Sequence, residues 1–142
     1  MITGIQPRDV PVAVLYNLDP DWTAGEQTEV EQMSEHMAQA LAAEGHAVCT
    51  VSLSDQHLTA ALAELEPSAQ VVFNWCESYP CVPHSEPLVA RDLENAGFVY
   101  TGAPASAIAI AQDKAETREL LSRHGILTPE GRIFRRAVAD GW

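Results

Sequence analysis

Lys114 is the only lysine of the chain, among eight basic residues set against twenty acidic ones. It follows Asp113 directly, where the small apolar residues of "TGAPASAIAIAQ" give way to the charged "DKAETRELL". A cation at the start of a helix opposes the backbone dipole, so the position asks for a reason. One reason is a contact with phosphate or carboxylate, for which an ammonium is a compact point charge. The other is a solvated side chain, and the local sequence leaves both open.

Glu77 is a second candidate, with Asn74 just before it in "VVFNWCES". In an open α/β sheet, ligands bind at the carboxyl ends of the strands. Asn74, Glu77 and the loop after Tyr16 are expected to gather at that edge; a solvated loop carboxylate is the plainer reading of Glu77. Cys76, Cys81 and His84 form C-x4-C-x2-H in "CESYPCVPH". Thiolate and imidazole are zinc ligands, but a fourth ligand is missing. The spacing is better read as a loop that happens to hold two cysteines. The connection after the first strand has neither GxGxxG nor GxxxxGK[ST], so it carries no dinucleotide or P-loop fingerprint. No GxSxG elbow occurs, and the five histidines are scattered, so no catalytic triad can be placed.

The elements that must hold these residues follow from periodicity. "PVAVLYNL" and "AQVVFNW" are short apolar runs and predict buried strands. "HAVCTVSL" alternates and is β-branched, predicting another strand, and "FVYTG" a short fourth. Between them, residues 27–44 repeat Val30, Met33, Met37 and Leu41 at helical spacing and stop at Gly45. Leu58, Leu62 and Leu65 predict a second helix, and Ser85-Glu86-Pro87 opens a third, ended by Gly97. The order strand, helix, strand, helix, strand, helix, strand argues for an open, mainly parallel sheet with helices on both faces. After Thr101 two helices follow in succession. Pro104 suits the first turn of one, and Asp113 caps the other, with Glu116 placed for a capping box. "EGRIFRRA" predicts the start of a further strand. The expected division is therefore 1–102 as an α/β domain and 103–142 as a helical linker with the beginning of a second domain.

The bulk numbers restrict the partners. A formal charge of −12 argues against nucleic acid and against anionic membrane surfaces. No apolar run reaches the length of a membrane span, and the start lacks a signal-peptide pattern. Three cysteines and no leader predict a reduced, cytoplasmic setting.

These residues together resemble the N-terminal part of the D-alanine–D-alanine ligase family of the ATP-grasp superfamily. "VAVLYN" resembles its first strand and "VVFNWCES" its third. "LENAGFVYTGAPASAIAIAQDKAETRELLSRHGILTP" resembles its stretch of YTG, small residues, DK, a helix and Thr-Pro. The resemblance implies a flavodoxin-like pre-ATP-grasp domain followed by ATP-grasp lobes. It implies ATP with Mg²⁺, a small amino and carboxylate substrate, an acylphosphate intermediate, and a homodimer as a partner state. It assigns Lys114 to ATP phosphate. It places the acidic residue that holds the substrate amino group near Glu26 or Gln27, with Glu29-Val30 matching the end of the family pattern. The pattern's paired glycines are absent. The lobes carrying the second phosphate-binding lysine and the Mg²⁺ ligands would lie after Arg136. The expectation is a chain that is not catalytically complete alone, contains no catalytic residue of its own, and binds nucleotide weakly or not at all. The alternative is a stand-alone flavodoxin-like binding module, one subunit of a split ATP-grasp enzyme.

Overall fold

The structure is a computed structural model, which describes residues 10–132. Four strands, β1 (Val12–Asn17), β2 (Val48–Leu53), β3 (Val71–Trp75) and β4 (Val99–Tyr100), form one parallel sheet in the order β2-β1-β3-β4. Five helices connect and extend it: α1 (Ala24–Ala43), α2 (Leu58–Ala61), α3 (Glu86–Asn95), α4 (Ala105–Gln112) and α5 (Lys114–Arg123). The α/β class and the parallel sheet are as the periodicity predicts.

β1 is central and all six of its residues are buried, because both faces of the sheet are covered there. Parallel register puts Ala13 beside Cys49 and Val72, and Leu15 beside Val51 and Asn74. Side chains alternate between faces, so Leu15, Leu53 and Val72 share one side. There they join Leu58, Leu62, Val89, Leu93 and Phe98 in the main core. Burying such aliphatic side chains contributes about 1.5–3 kcal/mol each. α1 packs on β1 and β2 without touching α2 or α3, which places it on the opposite face.

The helices differ in detail from the expected pattern. α1 begins at Ala24 and buries Ser34 and Ala38; Met33, expected in the apolar stripe, is 49% exposed. α2 is a single turn, and Leu62 and Leu65 follow it in a turn rather than on a continuous helix. Leu62 is nonetheless buried and Leu65 packs against the same core. Gly97 ends α3 at φ +80°, a conformation an L side chain rarely adopts, and this allows Phe98 to turn back into the core.

α4 and α5 continue beyond the sheet. α4 packs on α3 and on α5, and Thr117 of α5 donates to the Ile110 carbonyl at 2.6 Å. α5 contains no fully buried residue. The strand expected in "EGRIFRRA" lies mostly outside the described residues; Glu130, Gly131 and Arg132 have no regular structure.

Candidate functional site

The chain leaves β1 for α1 on one side and reaches β3 on the other, so strand order reverses between β1 and β3. Their carboxyl ends form the crevice where doubly wound sheets take ligands. Asn17, the last residue of β1, is 6% exposed, and its Oδ1 accepts the Glu77 N–H at 3.2 Å. Asn74 lies within β3: its N–H donates to Thr101 Oγ1 at 3.1 Å, and its Oδ1 accepts the Cys76 N–H at 3.3 Å. The edge thus joins β1, β3 and the residue after β4 through side chain-to-backbone bonds. Glu77 itself is exposed, and its carboxylate makes no hydrogen bond among the described residues.

The β3–α3 loop is tied down from two directions. Ser85, 1% exposed, accepts the Tyr79 N–H at 2.7 Å and donates to the Val82 carbonyl at 2.5 Å. The Tyr79 hydroxyl donates to Asp92 at 2.6 Å; burial, then the neighbouring Asp92 carboxylate, keeps this phenol protonated above its ordinary range. Cys81 and His84 have left-handed backbones, at φ 58° and 61°. Such residues cost of order 1–3 kcal/mol and persist where their surroundings fix them. At Cys81 the fixing group is Asp19, whose carboxylate accepts the Cys81 N–H at 2.6 Å and the Asp21 N–H at 2.9 Å. These bonds, that from Cys81 foremost, hold the Asp19 carboxyl below its ordinary value.

Asp19, Asp21 and Cys81 bring three ligand atoms within 4.8 Å of one another. The cluster is hydrogen-bonded within itself, because the Cys81 thiol donates to both carboxylates at 3.4 Å. The bond to Asp19, then burial and the bond to Asp21, pushes that thiol up to about 11. Cys76 faces elsewhere: it is buried, donates to the Ser78 carbonyl at 3.3 Å, and burial pushes its thiol up to about 12. Among the described residues, Cys76, Cys81 and His84 do not gather as a metal-ligating group.

Glu26 and Glu29 lie on the first two turns of α1. Thr23 caps this helix, and Glu26 completes a capping box by accepting the Thr23 N–H at 2.8 Å and its hydroxyl at 2.7 Å. The Thr23 hydroxyl, then its N–H, holds the Glu26 carboxyl below its ordinary value. Glu26 is therefore already engaged, whereas Glu29 is exposed with no partner among the described residues. Gln27 turns back into the loop and donates to the carbonyls of Asp19 (3.1 Å) and Trp22 (3.3 Å).

Lys114 is the first residue of α5. Asp113 precedes it as the cap, accepting the N–H groups of Ala115 (2.8 Å) and Glu116 (3.0 Å). The reciprocal bond of a full capping box, from Glu116 back to Asp113, is not formed among the described residues. Lys114 is exposed on the wall of an open concavity of about 1600 Å³ between α4, α5 and residues 128–132. Arg118, Arg123 and Arg132 line the same concavity, and His84 from the β3–α3 loop reaches its rim. Gln112, at the end of α4, donates to Glu86 at the start of α3 and fixes this rim to the sheet domain. Arg118 and Arg132 carry no motif. The spacing of Lys114 and Arg118, one helical turn apart, is the signal in the sequence that marks the first of them.

An open parallel α/β domain with a polar switch-point edge, followed by a helical hairpin that presents cations, defines the class. No family model matches the chain. Individual relatives do. The chain is 36% identical over 111 residues to a D-alanine–D-alanine ligase of Sphingopyxis alaskensis, covering 78% of the chain and 33% of that protein. The ligase of Erythrobacter litoralis is 36% identical over 110 residues, 77% of the chain and 32% of the ligase. That of Novosphingobium aromaticivorans is 32% identical over 103 residues, 72% of the chain and 31% of the ligase. The chain is related to the D-alanine–D-alanine ligases, in their N-terminal region. Its matched residues span about a third of the length of these relatives.

Proposed function

We propose that the chain is the substrate-side portion of an ATP-dependent carboxylate–amine ligase that works through an acylphosphate. The supporting observation is the placement of Lys114: a side-chain cap fixes it at the first turn of α5, on the wall of a concavity large enough for a nucleotide. In this reading Lys114 contacts ATP phosphate, and the β1/β3 edge with Asn74 and Glu77, flanked by Glu29 and Glu26 on α1, faces the small amino or carboxylate substrate. Mg²⁺ would balance the phosphate charge, from ligands outside the chain. The 1–102 and 103–142 division, the cytoplasmic setting and a homodimeric state belong to the same proposal. In this reading residues 1–142 bind and orient, and the groups that would move the phosphoryl group belong to the part of such a ligase that this segment does not match.

A chimera tests this. This chain's matched segment replaces the corresponding third of the Sphingopyxis alaskensis ligase, and ADP release is followed with D-alanine, ATP and Mg²⁺. The expected result is turnover that falls at least about tenfold with Lys114→Ala, the factor equivalent to about 1.4 kcal/mol. A folded chimera whose turnover is unchanged by Lys114→Ala would remove Lys114 from the chemistry. ATP-dependent amide formation by the unfused chain would contradict its catalytic incompleteness.

A further inference from the structure

We propose that Arg118, seated over Gly131, is the second cation of an anion seat that this chain builds by itself, with a polyphosphate as the ligand class. The inference rests on the phosphate reading of Lys114 and extends it from one residue to a constellation.

Lys114 and Arg118 are four residues apart on α5, and Leu121 and Ser122 continue the same wall. Side chains at this spacing are neighbours, and like charges there repel by a few tenths of a kcal/mol. A chain of net charge −12 has ample carboxylates to neutralise such a pair. Neither cation has an ion-pair partner among the described residues. Two carboxylates, Asp113 and Glu119, line the same concavity, and each has a partner of its own. Asp113 accepts backbone N–H groups of the first turn, and Glu119 pairs with Arg123 one turn on. Arg132 joins from the segment after α5, so three cations without an ion-pair partner among the described residues line one concavity. Arg91 is the remaining basic residue of the described segment and does not line it.

Gly131 and the end of the Arg118 side chain approach each other closely. A Cβ at residue 131 would overlap Arg118 Nη1 and come within 3.5 Å of its Cζ. The guanidinium therefore lies close against residue 131, and a Cβ there would displace it. A guanidinium presents a planar fork that takes two oxygens of a phosphate or a carboxylate at once. Three separated cations and about 1600 Å³ fit several linked phosphates rather than one.

The test uses inorganic triphosphate, without Mg²⁺, titrated into the chain by calorimetry at low and at moderate salt. Saturable, salt-sensitive binding is expected, weakened about fivefold or more by Arg118→Gln, or by about 1 kcal/mol. Arg118→Lys is expected to restore part of the loss, and Arg91→Gln to leave binding unchanged. Gly131→Ala displaces only the far end of a flexible side chain, so it should weaken binding while leaving the melting temperature in place. The proposal is overturned by an absence of saturable binding. It is equally overturned if Arg118→Gln and Gly131→Ala bind like the parent, or if Arg91→Gln loses as much as Arg118→Gln. Triphosphate has no adenine and no acyl acceptor. An inactive chimera with intact triphosphate binding would therefore count against the ligase reading alone.

Discussion

The carboxyl edge of the sheet and the wall of α5 both gather polar side chains, and they treat them in opposite ways. At the edge, Asn17, Asp19, Asn74 and Ser85 all accept backbone N–H groups, and the loop they hold is closed by side chains from the strands. On α5, Lys114 and Arg118 face an open concavity with no partner among the described residues. The edge is rigid because its hydrogen-bonding groups satisfy the chain's own backbone, so a ligand there meets only what is left over, such as the carboxylates of Glu77 and Glu29. The α5 wall is open at Lys114 and Arg118, which have no ion-pair partner among the described residues, so a ligand of opposite charge is what completes it. Burial follows the same division: the edge stands on the core around Leu15 and Val72, whereas α5 buries no residue and Leu127 after it is 98% exposed.

The largest effect expected from this contrast is in stability. Leu15→Ala empties a fully buried site in β1 and should cost about 3 kcal/mol or more in denaturant unfolding. Leu127→Ala, at a 98% exposed site, should stay within about 0.5 kcal/mol. Comparable losses at the two positions would break the distinction between a packed domain and an open extension. A smaller effect concerns the caps. Asp113→Ala removes the acceptor for two N–H groups and should cost about 1 kcal/mol of local helix stability. Amide exchange should quicken in α5 and remain slow in β1; simultaneous quickening in both would mean that the hairpin and the sheet open as one unit.

Cys76 sharpens the comparison through pH. Its thiol is pushed from an ordinary value of 9.0 up to about 12 in the folded chain, mainly by burial. Between these values the unfolded chain releases a proton that the native state keeps. The stability is fully present below about pH 9 and is lost as pH rises towards 12. Denaturation followed across this range should show the decline, and Cys76→Ala should flatten it. An unchanged slope in the variant would mean that the thiol is not enclosed. The smallest expected effect is at the junction. Pro104 cannot cap α4 with its side chain, and Glu94 instead accepts the Ala105 N–H at 2.9 Å and the Tyr100 hydroxyl at 2.7 Å. These bonds, that from Ala105 foremost, hold the Glu94 carboxyl below its ordinary value. Glu94→Ala should speed exchange in the first turn of α4 before any change in α1; protection unchanged at Ala107 and Ile108 would show that packing alone holds the junction.

Where a buried apolar run decides an element, the sequence was sufficient: β1, β3 and the helix opened by Ser85 fall where periodicity puts them, and so does the Asp113 cap. It failed where contact geometry decides. Met33 looked like core by spacing, but α1 buries Ser34 and Ala38 and leaves Met33 exposed. Leu58, Leu62 and Leu65 share a helical period although only one turn of helix forms, because turns can deliver leucines to a core equally well. For the site, Lys114 and Glu77 were visible as chemically unusual residues. Asn17 was hidden as the last letter of an apolar strand, and Asp19 within a loop of several turn-formers. Arg118 needed Gly131, thirteen positions away in sequence, and no periodicity links them.

The central claim is that the open cations of α5, and not the self-satisfied sheet edge, receive the polyphosphate. An amide NMR titration with inorganic triphosphate compares the two regions in one spectrum. The account predicts the largest shifts at Lys114, Arg118 and Gly131, with Asn17, Asn74 and Glu77 little changed. Shifts concentrated at Asn17, Asn74 and Glu77, with α5 unperturbed, would contradict it.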